Sequence, residues 1–205
     1  MTPEAEKIAR ESFRIIESRL SSTPFPEREI VKRVVHATAD FDFADLVVFS
    51  KNAVEKGIEA IRSGKNVITD VNMVKVGINS RALESYGSVV KCFIDRNDVY
   101  ALAEDTGKTR AGSAFHLFKN ELQDNIVVVG NAPTALFELC RLIEEGNLPA
   151  FVIAAPVGFV GARESKEQIL EYSTPSIVVK GDRGGSTVAV AIFNALLDLA
   201  GKKKE

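Results

Sequence analysis

Arg33 and His36 stand three residues apart in a segment that reads as a helix, so a guanidinium and an imidazole share one face. An imidazole titrates near about 6.5 and can give or take a proton at neutral pH, while a guanidinium stays charged and pairs with carboxylates. The pair suits acid–base work on an anionic ligand. A lone histidine near a helix end is also a common structural residue, and spacing leaves both readings open. His116, set among Phe115, Leu117 and Phe118, reads as a packed or surface histidine. Asp70 follows a short apolar run and is either a general base or a cap. The residues Val71 to Val74 directly after it favour a cap for the helix they begin.

Three loops carry the remaining chemistry. Gly130-Asn131-Ala132-Pro133-Thr134 follows the apolar run Ile126 to Val129, and Pro133 can open a helix whose free N–H groups receive a carboxylate. Pro156 to Lys166 is apolar around Gly158 and ends in the cations Arg163 and Lys166. Gly181 to Ser186 sets Arg183 among glycines. For any one loop the glycines need only permit a sharp turn. Together the three fit a ligand with several anionic groups and an apolar body. No GxxxxGK[ST] or GxGxxG supports a bound nucleotide, and neither a GxSxG elbow nor an HExxH pair is present.

These groups need a scaffold, and 205 residues with 45% hydrophobic side chains are enough for one sizeable core in a single domain, 1–205. A net charge of −2, from 26 Lys and Arg against 28 Asp and Glu, gives no general positive field for nucleic acid or an anionic membrane. The apolar runs fall far below the roughly 18 residues of a membrane span, and the polar MTPEAEKIAR start has no signal-peptide character. A soluble, cytoplasmic protein is expected. Cys92 and Cys140, without CxxC spacing, read as small buried hydrophobes, and no metal site is expected.

Two helices are predicted first, one from Pro3 with Ser12 on its inward stripe, broken at Ser21-Ser22, and one from Pro26 toward Thr38, giving a helical segment 1–40. A helix over Asn52 to Ser63 follows a short apolar stretch. The α/β core, 41–200, then alternates strand candidates Val67 to Thr69, Ser88 to Ile94, Ile126 to Gly130, Ala150 to Ala154 and Ser176 to Val179 with helices over Asn97 to Lys119, Pro133 to Glu145, Glu164 to Tyr172 and Ser186 to Leu199. Near-continuous apolar strands separated by helices predict a three-layer α/β/α domain with a mostly parallel sheet. The closing GKKKE reads as a frayed tail.

As a set, the stretches around Glu11-Ser12-Phe13, Arg33-Val34-Val35-His36-Ala37, Thr69 to Val74, Thr109-Arg110, GNAPTAL (130–136), PVGFVGARESK (156–166) and GDRGGS (181–186) resemble the precorrin-8X methylmutase family over nearly the whole chain. After the TR pair, where many relatives carry a small-residue run, Ala111 to Ala114 here lead to the bulky Phe115 to Phe118. The resemblance implies a flavodoxin-like sheet and a homodimer with its site near the subunit interface. It implies an isomerase of corrin biosynthesis that moves a methyl group from C-11 to C-12 of precorrin-8, with or without cobalt, using no cofactor. It implies His36 as the catalytic proton donor and acceptor, and Ser12, Arg33 and Arg110 as contacts to the tetrapyrrole. Asn131, Thr134, Gly158, Lys166 and Arg183, in the three loops, join them as expected substrate contacts. A polycarboxylate substrate further predicts that Arg33, Arg110, Arg163, Lys166 and Arg183 converge on one cleft. A non-catalytic corrinoid carrier and a flavodoxin-like flavin or nucleotide binder are the competing readings.

Overall fold

The computed structural model describes residues 2–20 and 23–201, so Ser21-Ser22 and the tail from Lys202 lie outside the described residues. The elements run α1 (Pro3–Glu17), α2 (Glu27–Thr38), α3 (Phe43–Leu46), β1 (Val47–Phe49), α4 (Ala53–Arg62), β2 (Val67–Thr69), α5 (Asn72–Gly77), α6 (Ser80–Glu84) and β3 (Val90–Cys92). They continue with α7 (Asn97–Thr106), α8 (Arg110–Leu117), α9 (Lys119–Leu122), β4 (Ile126–Val129), α10 (Pro133–Glu144), β5 (Phe151–Ala154), α11 (Ala162–Ile169), β6 (Ser176–Val179) and α12 (Ser186–Gly201).

The six strands form one sheet in the order β1-β6-β5-β4-β2-β3, all parallel except β1, which runs antiparallel to β6. The parallel strands alone have the flavodoxin-like order. Successive strand residues point to opposite faces, so Ile126, Val128 and Ile153 pack under α2, α4, α5 and α12, while Val127, Val129 and Val152 pack under α8 and α10. Both faces are covered, which is why β4 and β5 are apolar at every position and β2 and β6 at all but Thr69 and Ser176.

The connection runs one way from β2 to β3 and the other way from β4 through β5 to β6, so the order reverses between β2 and β4. At such a switch point the loops part toward opposite faces and leave a crevice beyond the carboxyl ends of the strands. Asp70 directly follows β2 there and Gly130 directly follows β4.

Three expectations need correction. The apolar stretch Val47–Phe49 is an antiparallel edge strand, because its register is set by β6 and not by its own pattern. The helix expected over Asn97 to Lys119 is split: Gly107, at φ 66°, ends α7, and the Thr109 hydroxyl starts α8 by accepting from Gly112 N at 3.2 Å. The strand Ser88 to Ile94 shortens to Val90–Cys92. Among the described residues no helix is long and apolar enough to cross a membrane.

Candidate active site

The loops after β5 and β6 are joined backbone to backbone. Gly158 N donates to Asp182 O at 3.0 Å, and Gly185 N donates to Ala155 O at 2.7 Å. Gly184 lies so close that a Cβ would stand 2.4 Å from the Ala155 carbonyl oxygen, at a φ of 157° that side chains rarely adopt. Lys166 reaches up from α11 beneath both loops. Its Nζ donates to Pro156 O and to Arg183 O, both at 2.8 Å, and the residue is 1% exposed. Burial lowers its pKa to about 8; the charge of Asp182 opposes that shift and the charge of Arg163 adds to it. A neutral amine keeps two N–H groups, enough for the two carbonyls. Lys166 was expected to contact the substrate; the structure instead commits its head group to holding the loops.

The other cations at this edge have partners of their own. Arg163 pairs with Asp182 at 3.1 Å and holds that carboxyl below its usual range. Arg183 pairs with Asp40 and, at 3.3 Å, with Asp42, its guanidinium 4.5 Å above the Phe43 ring. The link ties the β6 loop to the segment just past α2. Above the joined loops, Val157, Phe159 and Val160 are exposed, Phe159 at 97% and Val160 at 89%.

At the switch point Asn131 and Thr134 are exposed, and the Thr134 hydroxyl lies 2.7 Å from that of Thr109. Arg110, next to Thr109, hydrogen-bonds the Tyr100 hydroxyl, stacks 4.8 Å over its ring, and approaches Asp95 at 3.9 Å. Asp70 departs from its expected role. Val71, not Asp70, holds the N-cap position of α5, and no side chain caps that helix. Asp70 instead accepts from Gly130 N, Asn131 N and Ala132 N at 3.0, 2.8 and 2.7 Å. The amides just ahead of α10 are thus filled from within the protein rather than open to a ligand carboxylate. Burial raises the Asp70 pKa while the amides pull it down. All three groups that reach the carboxyl from the loop are donors, which fits the ionised form.

The third part of the site is a helical arm. Ile30, Val31, Val34 and Val35 bury one side of α2, largely against α12, and leave Arg33 and His36 exposed on the other. Phe13 of α1 covers them: its ring centroid is 4.6 Å from that of His36 and 5.2 Å from the Arg33 guanidinium carbon. Ser12 precedes Phe13 and is partly buried. Arg33 also pairs with Asp198 of α12. Arg33 and His36 of α2 therefore gather at the Phe13 ring of α1, with Ser12 one residue before that ring in the chain. His36 stands four residues before Asp40, the partner of Arg183, with the end of α2 between them.

The five cations do not meet in one cleft of this chain. Arg163, Lys166 and Arg183 share the β5 and β6 loops, Arg110 lies by Tyr100 and Asp95, and Arg33 is tied to Asp198, about 18 Å along α12 from its start. The expectation fails because each cation sits where its own element needs it. His116, away from these groups, donates through Nδ1 at 2.9 Å to the buried Glu138 carboxylate, which Arg141 also binds. Burial works to raise the Glu138 pKa, but those hydrogen bonds leave it lowered. Among the described residues, no group of three or more His, Cys, Asp or Glu side chains could hold a metal ion.

A family model for precorrin-8X methylmutase matches residues 7–199. The chain is 44% identical to a cobalt-precorrin-8 methylmutase of Methanocaldococcus jannaschii, covering 96% of this chain and 95% of that one. It is 38% identical to a precorrin-8X methylmutase of Pseudomonas aeruginosa, covering 94% and 95%. A crystal structure of precorrin-8x methyl mutase from Thermus thermophilus superposes with a TM-score of 0.85 at 39% identity, covering 94% of this chain and 96% of that one. Match length, identity and fold agree, and the chain belongs to the precorrin-8X methylmutase family, the isomerases of cobalamin biosynthesis.

Proposed function

We propose that this protein moves a methyl group from C-11 to C-12 of precorrin-8 or its cobalt form, giving hydrogenobyrinate or cobyrinate, with His36 as the proton donor and acceptor. The observation that carries the reading is the exposed His36 imidazole beside Arg33 and Phe13, on a helix whose opposite side is locked into the core. A proton delivered to a ring nitrogen makes the neighbouring conjugated system electron-poor and favours methyl migration; the same imidazole, having lost that proton, recovers one as the product forms. The shift is internal to the substrate, so no net oxidation or reduction occurs. Acid–base help of this kind is worth about 10²–10⁴-fold, and the remainder comes from binding the rearranged ring better than the starting one.

The carboxylates of the ring are met by Arg33, Arg110 and Arg183, with Ser12, Asn131, Thr134 and the Gly158 loop as neutral contacts. In the free protein Arg33 and Arg183 are held by Asp198, Asp40 and Asp42, and substrate carboxylates take over those pairings. Lys166 serves by fixing the loops. The spread of the cations over one chain favours a site completed by a second copy. The exposed Met73, Val76, Val157, Phe159 and Val160 along the carboxyl edge are an apolar surface fit for that homodimer contact. The protein then works as a cytoplasmic dimer.

The test is absorbance-monitored incubation with metal-free and cobalt-loaded precorrin-8. Conversion of either to its corrin product is expected, and the faster of the two names the natural substrate. Tight corrinoid binding without spectral conversion would overturn the catalytic reading in favour of a carrier.

A further inference from the structure

Asp70 is a carboxylate at 1% exposure, at the point where β2 and β4 part company. Its Oδ1 accepts from Gly130 N, and its Oδ2 accepts from both Asn131 N and Ala132 N. Its own backbone N–H donates to Val128 O at 3.3 Å, so main chain and side chain are both tied to β4 and the loop that follows. Gly130 leaves no room for a side chain between the loop and the helices beside it. A Cβ there would lie 2.6 Å from Val74 Cγ2 and 3.0 Å from both Ala189 Cβ and the Ser186 Cα.

A buried carboxylate is a costly way to gain stability, since apolar groups of the same volume often do as well. What it does supply is direction: three successive amides aimed at one point fix the backbone of residues 130–132. That loop places Asn131 and Thr134, both exposed, at the crevice between diverging loops. We infer that Asp70 is a positioning residue, whose carboxylate sets the Gly130–Ala132 backbone and through it the substrate contacts Asn131 and Thr134. The assignment rests on those two residues touching substrate, as proposed above. It also separates two kinds of work, since Asp70 governs how the ring is held and His36 governs the proton.

Asp70→Asn tests it, because the amide keeps the shape but turns an acceptor oxygen into an N–H donor facing an N–H. With the fold retained, KM for precorrin-8 should rise about tenfold while kcat stays within about threefold, as expected for lost binding common to ground and transition states. Asn131→Ala should raise KM in the natural background and add less than about twofold on top of Asp70→Asn, because both act through one loop. Hydrogen exchange at the Gly130, Asn131 and Ala132 amides should quicken at least about tenfold in Asp70→Asn, with or without substrate. Should that variant not fold, Asp70→Glu, which keeps the charge and displaces the carboxylate, must show the same rise in KM at held kcat. Effects of Asp70→Asn and Asn131→Ala that multiply independently, or unchanged amide exchange, would overturn the assignment. Wild-type protein without turnover would remove the functional reading instead, and the exchange measurement would still decide whether Asp70 sets the loop.

Discussion

The loops after β5 and β6 are held by backbone hydrogen bonds, a glycine with no room for a side chain, and a buried lysine that binds a carbonyl from each. The arm of α1 and α2 is built differently. There Phe13, Arg33 and His36 project from helices whose buried sides do the packing, and the Phe13 ring of α1 brings the two α2 side chains together. Under the proposed function, binding a large anionic ring calls for donors on loops that do not move, which the first region would supply. Proton transfer calls for an imidazole that can change its charge without disturbing the core, which the exposed helix face would supply.

The contrast is open to attack from either side. The largest expected effect is on the loops: Gly184→Ala forces a Cβ against the Ala155 carbonyl and should destabilise the protein by about 3 kcal/mol or more, read by chemical denaturation. Lys166→Met follows. It leaves the Pro156 and Arg183 carbonyls without their donor, at about 2 kcal/mol, or a fall in the unfolding midpoint of roughly 4–8 °C. Arg33→Ala, on the arm, should raise KM about tenfold yet leave stability within about 1 kcal/mol, because its pair with Asp198 is exposed. Equal loss of stability in Arg33→Ala and Lys166→Met would erase the distinction between the two regions.

The smallest effect is one of pH. Charged Lys166 is penalised by burial, in full below its folded pKa of about 8. Between that value and the ordinary lysine value the folded chain has released the proton and the unfolded chain has not, so stability rises with pH. Wild-type protein should therefore gain on Lys166→Met between pH 7 and about pH 9.5, measured as the difference in denaturation midpoints. A gap that narrows over that range would mean that the lysine is not held in its charged form at a cost.

Much of this was legible in the residues. The strands β4 and β5 announce themselves because burial on both faces makes every position apolar, β2 and β6 because all positions but Thr69 and Ser176 are, and α2 because its apolar positions recur at helical spacing. Edge strand β1 was hidden, since three residues carry no period and its register comes from β6. Asp70 and Lys166 were misjudged for a common reason: their partners lie some sixty and ten to seventeen residues away, and nothing in the local sequence marks a buried charge whose ligands are backbone groups. The place of Phe13 beside His36 depends on how α1 crosses α2, which no spacing within either helix records. The scatter of Arg33 and Arg110 was likewise invisible to a count of cations, because charge composition says nothing about which edge each helix end reaches.

The most direct test is saturating turnover of precorrin-8 by His36→Asn, measured beside the affinity of the same variant for the corrin product. The account predicts a kcat lowered about 10²–10⁴-fold with product affinity held within about threefold, because the binding loops do not pass through His36. Turnover near the wild-type rate, or product binding lost along with turnover, would contradict it.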